Sequence, residues 1–207
     1  MSTPIRRHPD SATLMSFAAG ALPEPLAAAC SVHASLCAAC RDELRDMELV
    51  GAALLGSTPA PGGRVAAPVR PAEPLHTERA SNDRGGMADA LPAPIATRYG
   101  LTLDQIPWKR LAPGVWQHRL ALSPGAQGEL YIIKLAPGCR LPLHAHTGTE
   151  LTVVLTGAFT DESGEYRRGD LQEIDQVEHQ PVGDGEDGCV CLVAAEGPYL
   201  LKDSPRG

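Results

Sequence analysis

The chain is poor in aromatic residues and in positive charge, and it has no long apolar run. Only eight of its 207 residues are Trp, Tyr or Phe, and its formal net charge is −7. Direct contact with nucleic acid needs a basic face, so this charge argues against nucleic acid as a direct partner. No run of eighteen apolar residues is present, which excludes a transmembrane helix and argues against a membrane partner.

The N-terminus also lacks the features of a secretory signal. Its first residues, MSTPIRRHPDSATL, contain neither an apolar core nor a cleavage site. We therefore expect a cytoplasmic protein, in which the six cysteines favour metal binding or redox chemistry over disulfides. The sequence shows no phosphate-cradling glycine loop and no Ser-His-Asp arrangement.

Composition divides the chain into three segments and predicts a two-domain α + β protein. Residues 1–57 have helical spacing and predict a small bundle of three helices, the first capped by Asp10 or Ser11. Residues 58–91 repeat Pro and Gly without periodicity and predict a flexible linker. Residues 92–207 contain short strand-like runs separated by turn residues, which indicates a closed β architecture.

A first candidate metal site lies in the last segment. His144 and His146 are two residues apart, and Glu150 follows four residues after His146. Alternate side chains of a strand share a face, so both imidazoles can reach one point, and His179 arrives from a later segment. Three imidazoles and one carboxylate suit Zn²⁺, Fe²⁺, Mn²⁺ or Ni²⁺.

This string resembles the first motif of the cupin family at every spacing, from Gly138 through His144, His146 and Glu150 to Gly157. The second cupin motif is matched by a Gly-Asp pair at residues 169–170 and by His179, while the usual Pro-x-Gly and a later Asn are missing. The resemblance runs from about residue 92 to the C-terminus. It implies a small antiparallel β-barrel with the metal inside.

A second candidate metal site lies in the helical segment. His33, Cys37 and Cys40 are spaced by four and three residues, which places them on one face of a helix or helix-turn. Two thiolates and an imidazole suit tetrahedral Zn²⁺, and His8 is the natural fourth ligand. A structural zinc ion adds on the order of 10 kcal/mol of coupled folding free energy to so small a segment.

This helical segment resembles the zinc-binding anti-sigma domain, in which a His precedes a His-x-x-x-Cys-x-x-Cys motif. Such a domain followed by a cupin is similar to the ChrR-type anti-sigma factors. The resemblance implies zinc at both sites. It also implies binding and inhibition of an alternative sigma factor of the extracytoplasmic-function type, released when the cupin senses singlet oxygen or peroxide. The further amphipathic helix usual in such domains is reduced here to the run GGMADALPAPIA, which predicts either weaker sigma binding or a shorter sigma-binding surface.

Three other cysteines are candidates for redox sensing. Cys189 and Cys191 share a face if they lie on a strand, and Cys139 stands next to the first cupin motif. In each case ordinary packing of a small apolar side chain is the alternative.

Two functions of different class fit these observations. The first is a transcription regulator with no enzymatic activity, in which both metal sites have a role. The alternative is a mononuclear cupin enzyme of the dioxygenase kind, with the N-terminal zinc module binding a partner. We favour the regulator because the enzyme leaves the His-Cys-Cys motif unexplained. A homodimer through the cupin and a one-to-one complex with a sigma factor are both compatible with the sequence.

Overall fold

A computed structural model describes residues 4–57 and 90–201 of the chain. Almost all of the linker predicted over residues 58–91 lies outside the described residues, as do both ends of the chain. The described ranges contain four α-helices and nine β-strands, so a helical N-terminal region precedes an antiparallel β architecture. No helix in these ranges is both long enough and apolar enough to cross a membrane.

The helices are α1 (Ser11–Ala18), α2 (Glu24–Leu36), α3 (Ala38–Ser57) and α4 (Ala93–Tyr99). Asp10 caps α1, because its carboxylate accepts a hydrogen bond of 2.6 Å from the backbone N–H of Thr13. Pro25 lies in the first turn of α2. Backbone N–H groups in the first turn have no partner within the helix, so proline costs no helical hydrogen bond there. The extended backbone of Cys37 ends α2 and separates it from α3.

The strands form two antiparallel sheets. The larger has the order β1-β2-β3-β8-β5-β6, with β7 also paired to β5, and the smaller pairs β4 with β9. In chain order the strands are β1 (Lys109–Ala112), β2 (Val115–Arg119), β3 (Glu129–Leu135), β4 (His144–His146), β5 (Thr149–Asp161), β6 (Gly164–Arg167), β7 (Leu171–Asp175), β8 (Val182–Ala195) and β9 (Tyr199–Leu201).

The prediction of a closed barrel is wrong for the described residues. No ladder of the described residues joins the small sheet to the large one: of the two isolated bridges, one pairs His144 of β4 with His179 and the other pairs Arg140 with Val182 of β8, and neither His179 nor Arg140 lies in a strand. The long strand β5 pairs along one edge first with β7 and then with β6, so the large sheet bends over itself. Because β4 has only three residues and follows Pro142, it is too short to join the two sheets by a continuous ladder.

Alternation along the central strands separates two apolar clusters. On β8, Leu192 faces one side with residues of β3 and β5, while Cys191 and Val193 face the other. Helix α2 covers the first side, where Leu26 and Val32 are 2 % and 0 % exposed within a core shared with the strands. The second side encloses the candidate metal residues of β4 and β5.

Candidate metal centres

The four candidate ligands of the N-terminal segment meet at one point. His8 lies on an extended arm, residues 4–10, His33 in the last turn of α2, and the two cysteines on either side of the α3 start. Nδ1 of His8 is 3.5 Å from Sγ of Cys37 and 3.3 Å from Sγ of Cys40. Nε2 of His33 is 3.3 Å from Sγ of Cys40. One ligand atom from each residue lies within 4.8 Å of the others.

The electrostatics of this cluster fit a bound cation. Burial lowers the pKa of His33 to about 4, which keeps its imidazole in the neutral form that binds metals. Burial and the neighbouring Cys37 raise the pKa of Cys40 to about 12, so a thiolate at this position requires a positive charge beside it. Two sulfur and two nitrogen donors are the set typical of a tetrahedral structural site.

The second nitrogen of His33 is held by the β-sheet segment. Nδ1 of His33 lies 2.9 Å from the backbone carbonyl of Gly169, which assigns the proton to Nδ1 and leaves Nε2 directed at Cys40. Gly169 has a φ of +90°, and a Cβ there would come within 2.6 Å of Cδ1 of Ile5. Only glycine therefore allows the arm to approach this turn closely.

The arm that carries His8 is fastened to the same turn. The carboxylate of Asp170 accepts hydrogen bonds from the backbone N–H groups of Arg6 at 2.7 Å, Arg7 at 3.1 Å and Arg167 at 2.9 Å. The N–H of Leu171 donates to the carbonyl of Arg7 at 3.1 Å. Asp170 is 4 % exposed, so these bonds are sheltered from water. Residues 169–171 therefore form hydrogen bonds both with His33 and with the arm that carries His8.

The four candidate ligands of the β segment also converge. His144 and His146 lie on β4, Glu150 on β5, and His179 forms a bridge with His144. Nε2 of His146 is 2.6 Å from Oε2 of Glu150, and Nε2 of His179 is 3.9 Å from Oε1. All four residues are buried, and one ligand atom from each lies within 4.8 Å of the others.

Unsatisfied nitrogen atoms in this cluster fit a divalent metal. Nδ1 of His146 and both ring nitrogens of His179 have no partner in hydrogen-bond geometry, although both rings are buried, and Nε2 of His146 faces Oε2 of Glu150. Nδ1 of His144 donates to the carbonyl of Pro142 at 2.8 Å, which leaves its Nε2 free. Burial alone raises the pKa of Glu150, but the facing imidazoles of His146, His179 and His144 outweigh it and lower that pKa below its usual value. The carboxylate is therefore ionised and able to bind a cation.

A cavity of about 30 Å³ adjoins this cluster. Its lining includes His144, Glu150 and His179 together with Cys189 and Cys191 on β8. Contact with Cys189 and burial raise the pKa of Cys191 well above its usual value, so its thiol is protonated.

Two of the three cysteines predicted as redox sensors, Cys189 and Cys191, lie beside the candidate metal ligands. Cys139 does not line the cavity and lies with Sγ 3.5 Å from the carbonyl of Pro113. Sequence reasoning missed Asp161 and Gln172, whose side chains bond each other beside His179. Neither belongs to a motif: Gln172 pairs with Thr152 near the start of β5, whereas Asp161 ends that strand opposite Gly164 of β6, so only the folded sheet brings them together.

Comparison with known proteins extends these observations to both parts of the chain. Residues 97–199 match the family described as the ChrR cupin-like domain. The anti-sigma-E factor ChrR of Cereibacter sphaeroides is 34% identical over 208 residues, covering 96% of this chain and 93% of the relative. A sugar phosphate isomerase of the cupin superfamily from Silicibacter pomeroyi covers 50% of this chain and 82% of its own at 23% identity. Its TM-score of 0.40 is too low to support any argument.

One solved complex contains a protein chain that is similar to this chain over nearly its whole length. It is the crystal structure of Rhodobacter sphaeroides SigE with the anti-sigma ChrR, which matches with a TM-score of 0.74 and 33% identity. The match covers 92% of this chain and 99% of the matched chain. The helical region and the cupin-like fold are therefore both shared with that protein, and the chain belongs to the ChrR family of anti-sigma factors.

Proposed function

We propose that this chain is an anti-sigma factor, which binds an alternative sigma factor and keeps it from RNA polymerase. The observation that carries the proposal is the similarity to ChrR solved with SigE, because it extends over 92% of this chain. Both candidate metal clusters of the family are also assembled here from the predicted residues. A partner that works with RNA polymerase implies action in the cytoplasm and negative regulation of transcription.

Zinc is the proposed metal at both centres. His8, His33, Cys37 and Cys40 would hold zinc in the N-terminal cluster, and the ion would connect the arm to α2 and α3. The second cluster, His144, His146, Glu150 and His179, offers three imidazoles and a carboxylate, which also suit Fe²⁺, Mn²⁺ or Ni²⁺.

The proposed docking surface is the apolar face that α1 and α3 leave uncovered. Met15 on α1 is 61% exposed, and Leu49 and Val50 on α3 are 69% and 61% exposed. Large apolar side chains grouped on one exposed surface mark a site that a protein partner covers. The sigma factor is the occupant, because the similar ChrR chain was solved with SigE. Helix α4 adds nothing to this face, since Ile95 packs it into the sheet core at 1% exposure.

Under this proposal residues 1–57 hold the sigma factor, residues 58–91 are a tether, and residues 92–207 sense oxidative stress. The signal, singlet oxygen or peroxide, acts at the cupin metal residues or at the cavity thiols Cys189 and Cys191, with Cys139 as an outer oxidation target. Contacts of the arm and of His33 with residues 169–171 supply the route by which a change in the sheet reaches the N-terminal cluster.

A non-enzymatic role is supported by the size of the interior cavity. Its volume of about 30 Å³ has space for one or two water-sized molecules beside the ligands. A dioxygenase of the mononuclear kind needs open metal positions and space for its substrate.

The test is co-expression with tagged sigma factors from the source bacterium, followed by co-purification. We expect wild type to form a stable complex and the Cys37→Ala/Cys40→Ala double variant to lose it, because the docking helices then lack their junction. His179→Ala alters only the second cluster and is expected to keep the complex while failing to release it under oxidant. Absence of a complex with every sigma factor would refute the anti-sigma proposal, whereas retention of the complex by the double variant would refute the role of the N-terminal cluster in docking.

A further inference from the structure

Asp161 is a buried carboxylate outside both metal motifs. It is the last residue of β5, and its side chain is only 1% exposed. Oδ1 accepts hydrogen bonds from the backbone N–H of Ser163 at 2.9 Å and from its hydroxyl at 2.6 Å. Oδ2 accepts a hydrogen bond of 2.6 Å from Nε2 of Gln172 on β7. Three donors therefore fix the orientation of this carboxylate.

The fixed carboxylate faces a candidate metal ligand. Oδ2 of Asp161 lies 3.6 Å from Nδ1 of His179, whose other nitrogen, Nε2, is directed at Glu150. Nδ1 of His179 is buried and has no partner in hydrogen-bond geometry. His144 differs, because a backbone carbonyl accepts its Nδ1 proton at 2.8 Å. Among the described groups, Asp161 is therefore the anion positioned to accept the Nδ1 proton of His179.

We propose that Asp161 is the positioning residue of the cupin metal centre. It accepts the Nδ1 proton of His179, holds the ring in the tautomer with a bare Nε2, and turns that nitrogen towards Glu150 and the two histidines of β4. A carboxylate in this place also makes the imidazole a better donor to a cation. The inference rests on the proposed metal binding by this cluster and names a residue that the ligand motif does not contain.

The first experiment compares metal affinity at the two centres of the full-length chain. In Asp161→Asn, an NH₂ group replaces one of the two acceptor oxygens. This NH₂ group faces either the donors of Ser163 or the N–H donors of Gln172 and His179, so the hydrogen bonds on that side of the side chain are lost. Titration with Co²⁺ against a chelator is expected to show a 10- to 100-fold weaker cupin site. The thiolate-to-cobalt absorption reports the N-terminal site separately, because only that ligand set contains sulfur.

Two further variants make the comparison specific. Glu165→Gln removes a carboxylate from the neighbouring strand β6, where it pairs with Arg167 at the surface, and is expected to bind as wild type does. Ser163→Ala removes one hydroxyl donor from Asp161 and leaves the carboxylate in place, so a smaller loss of cupin affinity is expected.

A positioning role also predicts two results that a general loss of stability does not. Nitrogen NMR of the chain with its cupin cluster free of metal, where no cation fixes the tautomer, should show one tautomer for His179, protonated at Nδ1, and a mixture in Asp161→Asn. In a His179→Ala background, adding Asp161→Asn should lower the remaining affinity no further, because the carboxylate acts through that ring.

The outcomes separate this inference from the function on which it rests. Wild-type affinity in Asp161→Asn, an equal loss at both metal centres, or an additive loss in the His179→Ala background each overturns the role of Asp161. If wild type itself takes no metal at the cupin cluster while the N-terminal site fills, the proposed cupin metal centre fails instead.

Discussion

Replacing Cys40 by alanine is expected to unfold α1 and α3 locally while leaving the sheet intact. Cys40 is 2% exposed, and its Sγ lies 3.3 Å from nitrogens of both His8 and His33, so it contacts both histidines of the N-terminal cluster. The local apolar core is small, and Leu14 and Leu44 are its main large side chains. Without a metal contribution on the order of 10 kcal/mol, so few contacts do not hold two helices.

Helix α2 should respond differently from its neighbours. Leu26 and Val32 belong to the core shared with the strands, which does not depend on the cluster. Hydrogen exchange should therefore become fast in α1 and α3 and stay slow in α2, β5 and β8. Adding a strong chelator to wild type should reproduce the pattern, whereas Cys139→Ala, a thiol half-buried far from the cluster, should not. Unchanged protection of α3 in Cys40→Ala would show that its folding is independent of metal.

The second large effect is expected from Asp170→Ala, which should release the N-terminal arm. Its carboxylate accepts bonds from the backbone of Arg6, Arg7 and Arg167, and charge-assisted bonds of this kind contribute roughly 1.5–3 kcal/mol each. Once the arm detaches, His8 leaves the cluster, and one of its four candidate ligands is lost. We expect a stability loss of roughly 3–5 kcal/mol and weaker metal binding at the N-terminal centre.

Hydrogen exchange of residues 4–10 and cobalt titration of the N-terminal site measure this effect. The matched control is Asp175→Ala, which removes an exposed carboxylate at the far end of β7 and should change neither result. Slow exchange of the arm in Asp170→Ala would mean that Ile5 and the ring contact of Arg7 with Tyr166 are enough to hold it.

Strand β7 and the turn before it form the structural connection between the two candidate centres. Gly169 and Asp170 hold His33 and the arm, and Glu173 accepts hydrogen bonds from the backbone of Asp10 at 2.9 Å and the hydroxyl of Thr13 at 2.6 Å. Gln172, which lies between Asp170 and Glu173 in the sequence, donates a hydrogen bond to Asp161 beside His179. A shift of this strand would change both centres at once, as the proposed release of a sigma factor requires.

Local features of the fold were predictable because they depend on neighbours along the chain. The predicted cap at Asp10 is confirmed, and the proline in the first turn of α2 and the turn at Ser163-Gly164 between β5 and β6 are features of the same local kind. Helix α3 begins at Ala38, because only Cys37 separates it from α2. Propensity does not reveal that a single extended residue separates them.

The sequence by itself predicted most of the candidate ligands, because spacings of two, three and four residues relate His144 to His146 and His33 to Cys37 and Cys40, while His8 and His179 were added from distant segments. Tertiary structure alone decided what surrounds them: α2 covering the sheet, the arm lying against Asp170, and Asp161 facing His179 across eighteen positions of sequence. It also decided that the two sheets stay open, since closure depends on the register and length of distant strands. Such contacts follow from packing over the whole chain, which no local pattern encodes.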